Sequence, residues 1–346
     1  MAIALWAILV PVAFVAIAGH VSARDGIRQP ARAAAAAAQA AAVPTPEARA
    51  VAYLAREVPR WRAEHPCHSC HNNGDAARAL LTAVRAGFEV GDAAAETVDW
   101  LDEPEGWERN ATEGGVDNKP LARIQFAGAL AAAVAQQLAA PAALAAAAEL
   151  IAGDQRPDGS WRLDSAQNVG TPVTYGTALA TWAARRVLVA SGRPGLLPAI
   201  ARADAWFRGV EVQNVLDAAA VTLGLEDARD PAAGTARERA LDLIRRGEAP
   251  RGGWGPYTTA PPEAFDTAVV VLALRQVANT PGLAAPVFTD TGLVAAVARG
   301  RAYLVDEQLD DGSWIETTRP ANQESYAQRL STTGWAAIAL LATGSG

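Results

Sequence analysis

The stretch Tyr303–Trp314, "YLVDEQLDDGSW", decides the fold. It reads as the last turns of a helix, then a turn at Asp311-Gly312, then a large aromatic anchor. Gly adopts positive φ at little cost, so an Asp-Gly pair marks a tight reversal. A Gln at a helix end has backbone groups within reach that the helix leaves unpaired. The Trp that follows carries enough apolar surface to pack across neighbouring elements. The same grammar returns twice. "LIAGDQRPDGSW" spans Leu150–Trp161, with Gln, Gly and Trp at the same offsets. "LIRRGEAPRGGW" spans Leu243–Trp254, with Glu248 in place of the Gln.

Weaker echoes begin at Tyr53-Leu54, Trp100-Leu101 and Trp206-Phe207. Together these make six units, each about fifty residues long, a period that signals a repeat architecture. Apolar residues recur at three- and four-residue spacing in segments such as "EARAVAYLAREVPRW", "LARIQFAGALAAAVAQQL" and "EAFDTAVVVLALRQV". No run of alternating strand residues competes with them. Each unit therefore reads as a helix, a turn and a second helix. The second helices are expected near 75–88, 121–138, 174–189, 212–225, 265–277 and 325–341. Thr177, Thr267 and Ser331 lie near their starts, where hydroxyls cap well. The expectation is an all-α chain, an (α/α)6 toroid of six helical hairpins with first helices outside and second helices inside.

Arg299-Gly300, Tyr303-Leu304, Gln308, Gly312 and Trp314 together resemble the QW motif of squalene-hopene cyclases. More broadly, residues from about Glu47 to Thr343 resemble the α/α-toroid superfamily of terpenoid cyclases and protein prenyltransferases. The resemblance speaks for the fold, and function is a separate question. It implies that a cyclase would protonate its substrate from the middle aspartate of a D-x-D-D-T-A stretch. Here the matching stretch is "EAFDTA", Glu263–Ala268, and Phe265 stands where that aspartate would be. A phenyl ring donates no proton, so this form of cyclase chemistry is not expected. Asp266 reads instead as a helix N-terminal residue favoured by the helix dipole. The zinc site of a prenyltransferase is also excluded, because no Cys or His follows His71. Paired carboxylates remain, drawn from Asp164, Asp217, Glu263, Asp266, Glu316 and Glu324. Two of them flanking a sugar would make a glycan hydrolase or lyase.

The least ordinary segment is "EHPCHSCHNNGD", Glu64–Asp75. It holds both cysteines, Cys67 and Cys70, and His65, His68 and His71 out of four histidines in the chain. It occupies the place of "DGSW" in the first repeat, so it belongs on the rim where the inner helices begin. Their N-termini favour anions there. Cys67-x-x-Cys70-His71 is the attachment pattern of haem c, with two thioethers and His71 as axial iron ligand. The same atoms allow a Cys67–Cys70 disulfide, or a zinc site from Cys67, Cys70, His68 and His65. Met1 is the single methionine, so a Met/His haem carrier is disfavoured. Water, Lys119, a Tyr or an Asn remain as sixth ligands, or the position is empty. Asn72, Asn73 and Gly74 would turn the chain into the first inner helix, with Asp75 near its cap.

Composition sets the frame. The chain has 346 residues, 51% apolar, with a net charge of −7 and no basic stripe, so nucleic acid is not an expected partner. Residues 1–23 read as a signal peptide or membrane anchor, with an apolar run over Ala2–Gly19 that would hold the protein at a membrane. Residues 24–46 read as an Ala/Pro-rich linker, and residues 47–346 as the toroid. The expectation is an exported, periplasmic haem c-binding redox or sensing protein with a redox partner. The alternatives are a non-catalytic ring that binds an isoprenoid, lipid or glycan with a structural disulfide or zinc loop, and a carboxylate-dependent glycan enzyme.

Overall fold

The computed structural model describes residues 44–65, 67–109, 118–162, 169–280, 283, 287–319 and 325–344. The leader, nearly all of the linker, Asp164 and Glu324 lie outside the described residues. Thr45–Gly346 forms one compact unit. Its helices are α1 (Pro46–Glu64), α2 (Ala77–Arg85), α3 (Ala95–Leu101), α4 (Lys119–Ala135), α5 (Pro141–Gly153), α6 (Gly176–Ala190), α7 (Leu197–Gly209), α8 (Val215–Gly224), α9 (Pro231–Gly247), α10 (Ala264–Asn279), α11 (Asp290–Asp306) and α12 (Tyr326–Thr343). A π-helical turn, Cys70–Ala76, runs directly into α2. Among the described residues there is no strand, only an isolated bridge between Glu248 and Trp254. No described helix is long and apolar enough to cross a membrane.

The even-numbered helices form the inner ring. Each packs on the next, and α12 closes the ring against α2 and the π-helical turn. The odd-numbered helices lie outside, in the angles between successive inner helices. Burial follows from this placement. Helix α8 is buried along nearly its whole length, and α10 is buried from Ala264 to Val271. An inner helix has neighbours on both sides and an outer helix behind it, so it is apolar nearly all round.

The repeated motif staples each hairpin to the next. Trp161, Trp254 and Trp314 are fully buried, and each indole N–H donates to a carbonyl of the preceding outer helix: Ile151 at 2.8 Å, Ile244 at 2.8 Å and Leu304 at 2.7 Å. Gln155 Nε2 donates to Gly159 O (3.0 Å) and to Ala199 O on α7 (2.8 Å). Gln308 Nε2 does the same with Gly312 O (3.0 Å) and Pro46 O on α1 (2.9 Å). The second set joins the sixth hairpin to the first and so closes the outer wall. Where Glu248 replaces Gln, it binds Arg299 on α11 at 2.6 and 3.0 Å. The turn glycines have a common reason. A Cβ on Gly159 or Gly312 would lie 2.3 Å from the carbonyl of Arg202 or Arg49 on the next outer helix.

The hydroxyls expected as caps do other work. Thr267 receives the Trp254 N–H, and Ser331 lies inside α12 facing the first repeat. The side chains that do cap are Thr45, Asn118, Asn214, Asp230, Thr289 and Ser325.

Candidate functional site

The connections from outer to inner helices are long, except for the short one over 210–214, and described parts of them fold over the N-terminal ends of the inner ring. Arg319, before α12, donates to Gly170 O before α6, and Val215 N donates to Pro256 O at 2.8 Å. The short connections from inner to outer helices leave the other end open. A cavity of about 560 Å³ occupies the ring. Its lining starts at Arg78, Tyr175 and Trp335 and ends at Ala86, Gln136, Ala190, Gln276 and Ala342, at the C-terminal ends of the inner helices. The space therefore opens at the mouth opposite the cysteine loop, not at the N-terminal rim where the sequence reading placed function.

Behind Tyr175, Arg78 and Trp335 at the inner end of this cavity lies Asp75, which is 1% exposed and does not itself line the space. Four elements converge on it. Tyr175 OH donates to its Oδ1, Ser331 Oγ to its Oδ2 at 2.9 Å, and Gln125 Nε2 to the same oxygen at 2.9 Å. The Arg78 guanidinium is 3.7 Å from Oδ1 and stacks over the Trp335 ring at 4.2 Å. Glycines permit the convergence. A Cβ on Gly74 would meet Gln125 Cβ at 2.8 Å, and one on Gly334 would meet Asp75 O at 2.9 Å. Burial pushes the Asp75 carboxyl above its usual range, against the Arg78 charge and the three donated hydrogen bonds. Asp75 is thus no helix cap. It is a buried acid in a π-helical turn, a device that recurs at functional sites.

Tyr175 is placed by strained backbone. Its φ is 60°, uncommon for a residue with a side chain. Such a conformation costs about 1–3 kcal/mol and persists where the surroundings over-determine it. Here the ring packs on Trp335, with centroids 5.6 Å apart, while the hydroxyl holds Asp75. Burial and the adjacent Asp75 push its pKa well up.

The cysteine loop sends its side chains apart. His65 stacks on Trp61 at 4.0 Å and its Nδ1 lies 3.1 Å from Trp61 O. His68 stacks on Trp100 at 4.2 Å. His71 turns inward, with Nδ1 3.2 Å from Ser331 Oγ and Nε2 3.8 Å from Cys70 Sγ. Burial lowers the His71 pKa to about 4 and pushes the Cys70 thiol up to about 12, with the Asp75 charge adding to the latter. Cys67 and Cys70 are unbridged. Among the described residues, no group of three or more His, Cys, Asp or Glu is gathered for a metal. The arrangement does not fit zinc, because the histidines are committed to three different elements. Nor does it fit a haem, because the His71 nitrogen that would take the iron faces Cys70 instead of an open slot. Asn72 and Asn73 anchor the loop, donating to Val58 O (3.0 Å) and Thr97 Oγ1 (2.8 Å).

The remaining carboxylates are engaged singly or by arginine. Asn214 binds Asp217 at 2.6 Å, and Arg329 binds Glu316 at 2.9 Å. Arg319 holds both Glu263 (3.3 Å) and Asp266. Asp266 is fully buried, and burial lifts its pKa to about 7 against the Arg319 charge. Phe265 is also buried, edge-on to Trp335.

With this geometry in place, the comparisons are specific for architecture. No protein-family model matches the chain, and no curated protein does. Two solved structures of the type II terpene cyclase MstE from Scytonema match it. One, an arginine-to-alanine variant in complex with its substrate geranylgeranyl dihydroxybenzoate, has a TM-score of 0.52 and 15% identity, covering 86% of this chain and 96% of that one. The other, a tyrosine-to-phenylalanine variant without ligand, has a TM-score of 0.50 and 16% identity, covering 86% and 95%. The chain has the all-α toroid fold of these terpene cyclases.

Proposed function

We propose that the chain binds an isoprenoid in its central cavity and starts its cyclisation by protonating an alkene, with Asp75 as the proton source. The observation that carries this reading is the buried Asp75 carboxyl, raised in pKa and bonded to Tyr175, which lines a cavity together with Trp182 and Trp335. The toroid shared with a terpene cyclase that binds a geranylgeranyl substrate supports it. Phe265 disables the acid position of the D-x-D-D-T-A pattern, and Asp75 supplies an acid from a different inner element.

Tyr175 lines the cavity and touches Asp75, so it is the group through which the proton leaves. For transfer the phenol O–H turns from Asp75 to an alkene carbon and protonated Asp75 Oδ1 donates to the phenol oxygen in its place; as the phenol proton passes to the carbon, the carboxyl proton passes to the phenol oxygen. The alkene π electrons form the new C–H bond and leave a tertiary cation. Trp182 and Trp335 line the cavity, and the ring surface that Arg186 and Arg78 leave uncovered stabilises that cation by its quadrupole. A neighbouring alkene closes the ring, and loss of a proton to solvent ends the sequence. Arg78, 3.7 Å from the carboxylate that forms, stabilises it and so strengthens the acid.

The test is incubation of the protein with linear C15 and C20 isoprenoids, followed by mass spectrometry of extracted products. Cyclised isomers are expected from the wild type. Asp75→Asn and Tyr175→Phe should each lower turnover by at least a hundredfold while the protein still binds ligand. Unchanged turnover in Asp75→Asn would remove Asp75 from the chemistry.

A further inference from the structure

The cavity is not uniformly apolar. Arg78, Arg85 and Arg186 all line it, against one carboxylate, Glu226. Glu226 is itself 3.7 Å from Arg185, which stands outside the lining. Arg78 has Asp75 as its counter-charge, but Arg85 and Arg186 have no ion pair among the described residues. Arg186 lies over the Trp182 face at 5.0 Å. It keeps accessible surface although it lies deep in the protein, because that surface faces the cavity. Burial lowers its pKa and the Arg78 charge adds to that; the Glu226 charge opposes the shift, and Arg85 adds a smaller push in the lowering direction. Three like charges around one cavity repel one another, and an apolar ligand offers nothing to offset the repulsion.

Arginines near helix C-termini can instead serve the helix ends, by bonding carbonyls or opposing the dipole. Neither Arg85 nor Arg186 donates to a carbonyl among the described residues, and Arg186 lies a full turn before the end of α6. An anionic ligand group accounts for both side chains at once, because a guanidinium pair suits phosphate or carboxylate oxygens.

Resting on the isoprenoid reading above, we propose that the ligand carries an anionic head group, a diphosphate or a carboxylate, bound at the open mouth by Arg85 and Arg186. This fixes the direction of entry. The head stays at the mouth, and the alkene farthest from it reaches Tyr175 at the floor. Ring closure therefore begins at the tail of the isoprenoid and leaves the head group intact.

Calorimetric titration of the full chain with geranylgeranyl diphosphate, geranylgeranoic acid and geranylgeraniol tests this. The two anions are expected to bind at least tenfold more tightly than the alcohol. An Arg85→Gln/Arg186→Gln variant should lose that preference, with alcohol affinity changed by less than threefold. Whichever anion gains more over the alcohol identifies the head group. Equal binding of all three ligands, or a preference that survives in the variant, would overturn the head-group assignment and leave the isoprenoid reading standing. Failure of all three to bind would overturn both. A variant that melts below the wild type is replaced by the single Arg186→Gln change, for which half the loss on a logarithmic scale is expected.

Discussion

Burial raises the pKa of Asp75 and of Asp266, and of these two acids only Asp75 touches a residue that lines the cavity. Asp75 sits behind the cavity floor, whereas Asp266 is locked to Arg319 beside Glu263. The raised pKa of Asp266 has a definite consequence for stability. Between pH 4 and about 7 the folded state keeps a proton that the unfolded state has lost, so stability falls as pH rises through that window. Above it both states are ionised and the cost is constant. Asp266→Asn removes the titration. Its melting temperature relative to wild type is therefore expected to rise between pH 5 and 8. An offset that stays constant with pH would show that Arg319 keeps Asp266 ionised throughout. Neither acid was legible as such in the sequence. Asp75 reads as a capping residue because its partners Gln125, Tyr175 and Ser331 come from three distant segments. The one local clue was Gln125, a buried polar side chain amid the apolar run that follows Arg123 in an inner helix.

The turn at Tyr303–Trp314 and its two copies are the unit of construction at the level of elements. Its Gln, Gly and Trp join one hairpin to the next, and three copies use the same contacts with Arg202, Arg299 and Arg49 on the following outer helix. Gly312 has φ of 93° and no room for a methyl group. Gly312→Ala is expected to cost about 1–3 kcal/mol from backbone strain alone, with more from the clash with Arg49 O. Chemical denaturation measures it, and a change below half a kilocalorie would mean that the sixth hairpin does not depend on this closure. Helix positions and the repeat were legible because a 3.6-residue period and a fixed turn are local properties. The caps were less so. Thr267 and Ser331 lie where caps are expected, but neighbouring repeats claimed their hydroxyls. The cysteine loop was legible as a dense group of ligand-type side chains, yet its geometry depends on Trp61, Trp100 and Ser331, which spacing within the loop does not reveal.

At the largest scale described, the helices of Thr45–Gly346 form a ring with one covered end and one open end, and that asymmetry follows from connection length. Five of the six outer-to-inner loops are long, and one of them brings Tyr175 onto the acid at the N-terminal ends. Short inner-to-outer loops leave the cavity open where Arg85 and Arg186 stand. A proton donor at the closed end and cations at the open end give the cavity a direction, which suits a long ligand with one reactive and one charged terminus. The central claim is that the chain transfers a proton to carbon, and solvent isotope incorporation tests it most directly. After exchange of the protein into D2O and turnover of a C20 isoprenoid, the cyclised product is expected to carry one deuterium, at the carbon that received the initiating proton. Asp75→Asn should give neither product nor label. A cyclised product without deuterium, or labelled product at wild-type rate from Asp75→Asn, would contradict the account.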